Sequence, residues 1–445
     1  MLDETLLDAP EALARADVRG LLRGVAQAGA RVRTGLRHAT EAGLEALRPE
    51  GRPRALLVAG PGPATACVAD LLGALTNGAV PVTRLRPSGA HAATGALRWS
   101  LPGWAGPVDL LLLVTPDGTE PGLTALLEQA YRRGCAVVAV TPEGAPLTDA
   151  LGETRGFAVP LAPGPYEIYA SPDMPRRPDR PDDAVTGTET AGDRFADAVT
   201  PATAVAGEPA DGEGTATGAG ESGTRRESGP PAGDAGQPVG APGTFWALLA
   251  PLLLLTDRLG LTESGPSALG ALADRLDEVA ERCGPAIAPY SNPGKTLAVE
   301  LAGALPLMWS EGEIAGAAAR HWSAAFAALP GRPALPAELP EAMTAHGALL
   351  AGPYASGAGG DDFFRDRVEE PEALRARVVL LREAPPGVDS ATVAARDLAY
   401  AHDTPLSELE PAEGSSPLQT AAELIATADF CAVYLALADT DSPWA

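Results

Sequence analysis

Two turns and one lysine carry the residues best suited to holding an anion. The turns are Gly60-Pro61-Gly62-Pro63-Ala64-Thr65 and Thr115-Pro116-Asp117-Gly118-Thr119-Glu120. Small residues let a backbone approach a ligand, and hydroxyls together with the N–H groups at a helix start hold phosphate. The candidate phosphate ligands are therefore Gly62, Thr65, Thr115, Asp117, Gly118 and Thr119. Neither turn has the spacing of a P-loop or of a dinucleotide fingerprint, and both also read as ordinary strand-end turns. Lys295 is the single lysine among the 33 Lys and Arg residues, within Ser291-Asn292-Pro293-Gly294-Lys295. In a chain that uses arginine everywhere else, it reads either as a point charge kept for a task a planar guanidinium cannot perform or as chance retention on a solvated helix face. It falls in the first turn of a helix, where a cation is mildly unfavourable. That placement favours a reach towards a ligand. The four cysteines, Cys67, Cys135, Cys283 and Cys431, form no CxxC and no Cys/His cluster. They read as reduced, buried, structural thiols of a cytoplasmic protein with no metal and no cofactor.

The elements that position these residues follow from hydrophobic patterning. The apolar runs 55–59, 79–83, 110–114, 136–140 and 157–161 predict strands, alternating with helices at Thr65–Leu75 and Thr119–Arg133. Continuous apolar strands between helices mean a parallel sheet covered on both faces. Helical spacing of Val18, Leu21, Leu22, Val25, Val32 and Leu36 places helices in residues 1–50 ahead of this first α/β unit, 51–170. Residues 171–243 contain no Leu and no Ile, and their Ala/Gly/Pro/Thr/Asp composition predicts a disordered insert. A second α/β unit, 244–445, begins with an apolar helix at Phe245–Leu259 and continues with helices at Pro266–Arg282 and from Asn292-Pro293, where Asn is the N-cap. Strands at 305–309 and 377–381 and helices at Glu311–Leu329 and Leu418–Leu437 complete it. The net charge of −25 argues against nucleic acid and anionic membrane surfaces as partners, though not against a small phosphorylated ligand held by helix termini. The acidic N-terminal segment lacks a signal-peptide apolar region, and the apolar run Trp246–Leu255 is too short to span a bilayer.

Several motifs resemble the sugar-isomerase (SIS) domain family, most closely the prokaryotic bifunctional phosphoglucose/phosphomannose isomerases. They are Asn292-Pro293-Gly294-Lys295, Glu300-Leu301-Ala302-Gly303 with Leu305-Pro306, His321-Trp322, and Asp429-Phe430 followed by Val433-Tyr434-Leu435-Ala436-Leu437. The resemblance implies an α/β fold of two SIS-type sandwich subdomains flanking the insert. It also implies a homodimer, a hexose 6-phosphate ligand bound partly by Lys295, and aldose–ketose isomerisation through an enediolate, in which a carboxylate moves the proton and a histidine opens the ring. At the positions matching those two groups this chain has Ala328 and Thr344, and the arginine expected before Phe245 falls near Pro242. The family's C-terminal helix with its lysine has no counterpart before Ala445. His346 and Glu341 flank the vacated histidine position and are the candidates for a relocated catalytic pair, unless His346 is a surface or capping residue. His38, His91 and His402 lie in no motif and read as surface residues. Two functions stay open: a phosphosugar isomerase, or a phosphosugar-binding sensor or partner protein without turnover.

Overall fold

A computed structural model describes residues 2–46, 51–89, 96–154, 156–161, 242–355 and 374–439. The segment read as an insert lies outside the described residues, except for Pro242 and Gly243. These two form a buried turn against Gly24, so folded structure resumes before residue 244.

Four helices precede the first sheet: α1 (Glu4–Leu7), α2 (Pro10–Ala16), α3 (Leu21–Ala26) and α4 (Ala28–Glu41). The first sheet holds β1 (Leu56–Ala59), β2 (Val82–Leu85), β3 (Leu110–Val114), β4 (Ala136–Pro142) and β5 (Phe157–Leu161), all parallel in the order β2-β1-β3-β4-β5. Helices α5 (Gly62–Leu75), α6 (Pro121–Arg133) and α7 (Pro146–Thr154) are its crossovers. The second sheet, in the order β7-β6-β8-β9, is also parallel: β6 (Ala304–Glu311), β7 (Leu335–Glu338), β8 (Arg375–Arg382) and β9 (Leu406–Leu409). Around it lie α8 (Thr244–Arg258), α9 (Pro266–Arg282), α10 (Pro293–Leu301), α11 (Glu313–Ala328), α12 (Glu341–Ala351), α13 (Thr392–Ala401) and α14 (Pro417–Ala438).

The period-2 alternation of strand side chains explains the layering. Leu56, Val58, Leu112 and Val114 face one core, while Leu57, Ala59, Leu111 and Leu113 face a second core beneath α6 and α7. The first core also takes in Met308, Val379 and Leu381 of the second sheet, so both sheets share one helical layer built from α4, α5, α8, α9, α11 and α14. Leu307, Trp309, Val378 and Leu380 turn the other way, towards α12 and α13. At the centre lies α14, started by a capping box between Ser416 and Gln419. It is long and apolar enough to cross a membrane by composition, yet it is buried along its length within the protein, as a core helix is. All four cysteines are buried free thiols.

Candidate functional site

Both anion-type turns sit at the carboxyl edge of the first sheet, after β1 and β3. The sheet's strand order reverses between these neighbours, and open α/β sheets bind ligands at such a crevice. The two turns clasp each other tightly. A Cβ at Gly60 would overlap the Val114 carbonyl oxygen, so only glycine allows β1 to leave the sheet here. Thr65 is buried, and its hydroxyl hydrogen-bonds to the carbonyls of Pro61 (2.9 Å) and Val114 (3.3 Å), tying the turns together. In the second turn the Thr115 hydroxyl donates to Asp117 Oδ1 (3.1 Å) and accepts the Gly118 N–H (3.0 Å). Asp117 Oδ1 also accepts the Thr119 N–H (3.1 Å). Gly118 has φ +67° and packs against Thr141 and Ala145, leaving no room for a side chain. An exposed carboxylate of the chain thus takes donors that an incoming phosphate would need.

The same arrangement recurs on the second sheet. Glu383, at the end of β8, accepts the N–H groups of Ile314 and Ala315 (3.0 Å for Ala315) at the start of α11. Burial, reinforced by Glu313 and opposed by those two N–H groups, raises the Glu383 pKa. Glu311 accepts the Ala391 N–H (2.7 Å) and the hydroxyls of Ser390 and Thr392 at the start of α13. These bonds and nearby Arg382 outweigh burial and lower its pKa. Arg382 is itself buried between Glu408 and Glu410. By contrast, among the described residues no side chain caps α5, and Gly62 (φ +74°) and Pro63 in its first turn are exposed.

The sequence-derived ligands divide accordingly. Gly62, Asp117 and Thr119 face solvent, whereas Thr65, Thr115 and Gly118 are buried and committed to internal bonds. Lys295 requires the largest correction. It is 1% exposed, and its ammonium donates to three carbonyls: Leu7 (2.7 Å), Pro285 (2.7 Å) and Ile287 (2.9 Å). The Tyr434 ring lies 5.5 Å from Nζ. All three protons are used, so Lys295 has none left for a phosphate and instead pins α1 to the second half. Burial pulls its pKa down, with Asp8 opposing. Asn292 caps α10 as the sequence indicates, accepting the Lys295 N–H (3.0 Å).

The relocated catalytic pair does not form. His346 is buried on α12 against β6, where its Nδ1 accepts the Trp309 indole N–H (2.9 Å), and burial lowers its pKa. Glu341 is exposed at the first position of α12. They are five helical positions apart, which puts the two side chains about 140° apart around the helix. At the positions matching the family's catalytic groups, Ala328 is half-buried at the end of α11 and Thr344 is exposed on α12. Neither the glutamate caps nor the contact of His321 with Asp429, 2.6 Å apart, has a local sequence signal, because each joins residues 68 or more positions apart.

Two parallel α/β sheets around a common helical layer, with strand-to-helix turns at their carboxyl edges, define the class as a double SIS-type fold. Residues 290–443 match the family model described as the bacterial phospho-glucose isomerase C-terminal SIS domain. Over that stretch the chain is similar to the SIS domain of bacterial phosphoglucose isomerases. No curated protein matches it. Among solved structures, it is similar to a provisionally named phosphosugar isomerase of Clostridium difficile 630, with 10% identity over 95% of this chain and 94% of that one and a TM-score of 0.53. It is also similar to a glucosamine-6-phosphate deaminase of Thermotoga maritima, with 11% identity, 95% and 96% coverage and a TM-score of 0.50. A glucose-6-phosphate isomerase-like protein of Thermus thermophilus is 25% identical over 45% of this chain, which spans 60% of that protein's length, with a TM-score of 0.32.

Proposed function

We propose that this SIS-domain protein binds a sugar phosphate without isomerising it, and that the phosphate docks on the first turn of α5. One contrast carries the reading. Carboxylates of the chain occupy the donors of the turn before α6 and of the α11 and α13 starts, whereas α5 begins with the exposed Gly62 and Pro63 and, among the described residues, has no side-chain cap. A helix start with free N–H groups and a positive dipole end favours a phosphate. At the positions matching the family's catalytic groups the chain has Ala328 and Thr344, and the relocated candidates His346 and Glu341 point apart. Losing a positioned general base alone costs roughly a hundred- to ten-thousandfold in rate. A hexose 6-phosphate is the ligand that the family points to. Homodimer assembly and a cytoplasmic setting belong to the same proposal.

The test is thermal unfolding with glucose 6-phosphate, mannose 6-phosphate and inorganic phosphate. A ligand at about a hundred times its Kd stabilises by about 2.7 kcal/mol, enough to move Tm measurably. Ala64→Asp places a carboxylate in the α5 first turn, where it suits the helix dipole but repels a phosphate. The response should disappear in this variant without loss of stability. A response that persists in Ala64→Asp rules out the α5 site.

A further inference from the structure

His321, Asp429 and Cys67 come from α11, α14 and α5 and meet inside the shared helical layer. His321 Nε2 lies 2.6 Å from Asp429 Oδ1, with the two side chains only 14% and 5% exposed. The Cys67 thiol of α5 also neighbours the ring, and the Phe245 ring of α8 stands 5.7 Å away. Among the described residues Asp429 receives no other side-chain hydrogen bond. A carboxylate withdrawn from water with one donor is costly unless that donor carries a full positive charge. The short contact is also what a charge-assisted bond gives. Cys67 is 4% exposed, so its thiol is not presented to solvent as a nucleophile.

The geometry points to a titratable joint: an imidazolium at His321, held by Asp429 and packed against Cys67, that links α11 to α14 beneath α5 and so positions the α5 first turn. Cys67 lies in the second turn of that helix. His321 is thus a positioning residue, acting through α5. Only its link to ligand binding rests on the proposed phosphate site. The ionisable groups that act on His321 are Asp429 of α14 and Cys67 of α5, while α8 offers the uncharged Phe245 ring. Burial pulls the imidazole down, but Asp429 and Cys67 outweigh it and hold it well above the ordinary histidine value. A raised folded pKa contributes stability that is fully present below about 6.5 and lost as pH rises through the folded value. Deprotonation would leave Asp429 as a buried charge without a counter-charge.

Imidazole nitrogen NMR on the full chain tests this. At about pH 8, where an ordinary histidine is neutral, one ring should remain doubly protonated, and His321→Gln should delete its signal. If that variant does not fold, Asp429→Asn assigns the signal by moving its titration back towards about 6.5. Finding every imidazole neutral at that pH overturns the proposal. A second arm follows the phosphate-induced rise in Tm against pH, which should fall away as His321 titrates. A rise that persists through the titration overturns the positioning role. The absence of any phosphate response at any pH counts against the phosphate site and leaves the imidazolium result to stand or fall on its own spectrum.

Discussion

Replacing Lys295 by methionine keeps the apolar stem and removes the ammonium, so it separates a structural clamp from an anion ligand. Three carbonyls lose their donor, but not equally. The bond to Leu7 is fully buried, whereas those to Pro285 and Ile287 are partly reached by solvent. A buried acceptor left without a partner costs about 1–3 kcal/mol. A hydrogen bond from a charged donor is worth about 1.5–3 kcal/mol. Water at Pro285 and Ile287 recovers part of that, so the expected loss is about 2–4 kcal/mol, read from the urea midpoint at unchanged m-value. Lys295→Arg should not restore it, because the three carbonyls converge on a point and a guanidinium presents a flat fork. This convergence gives a physical reason for a lone lysine in an arginine-rich chain. A loss within about 0.5 kcal/mol, the range of ordinary surface changes, together with an abolished phosphate response, would refute the clamp and return Lys295 to the ligand site.

Two further substitutions probe the turns and the core. His346→Phe should leave any ligand response intact and cost about 1–3 kcal/mol, because the Trp309 indole N–H loses its acceptor. The lowered pKa of His346 means that wild-type stability is present above about pH 6.5 and falls as pH drops towards the folded value, a slope that chemical denaturation should find reduced in the variant. Glu383→Ala should cost about 0.5–2 kcal/mol by uncapping α11, whereas Glu383→Gln, which can still accept from Ile314 and Ala315, should cost less by the same measurement.

The sequence exposes those parts of the fold whose burial is one-dimensional. The continuous apolar runs at β1, β3, β4, β5, β6 and β8 and the caps of α10 and α14 are local signals, and the structure has strands and helices there. Four elements of the second half, β7, α12, α13 and β9, escape a reading of the pattern. The two strands are only four residues long and partly exposed, and the helices carry too few large apolar residues for a clear period. Strand β2 begins three residues later than the apolar run 79–83, because Pro81 precedes it and its first three residues are only half-buried at the sheet edge. The site is harder to read. Composition marks Gly62, Gly118 and the threonines as permissive of phosphate, yet Thr65 and Thr115 turn inward to bind the chain itself. The glutamate caps and the His321–Asp429 contact depend on tertiary proximity, which one sequence does not encode locally.

The most direct measurement is a coupled assay for fructose 6-phosphate on the purified full chain with glucose 6-phosphate or mannose 6-phosphate. The expected result is no product above the enzyme-free rate at concentrations where the ligand raises Tm. Sustained turnover that His346→Ala abolishes would contradict the account.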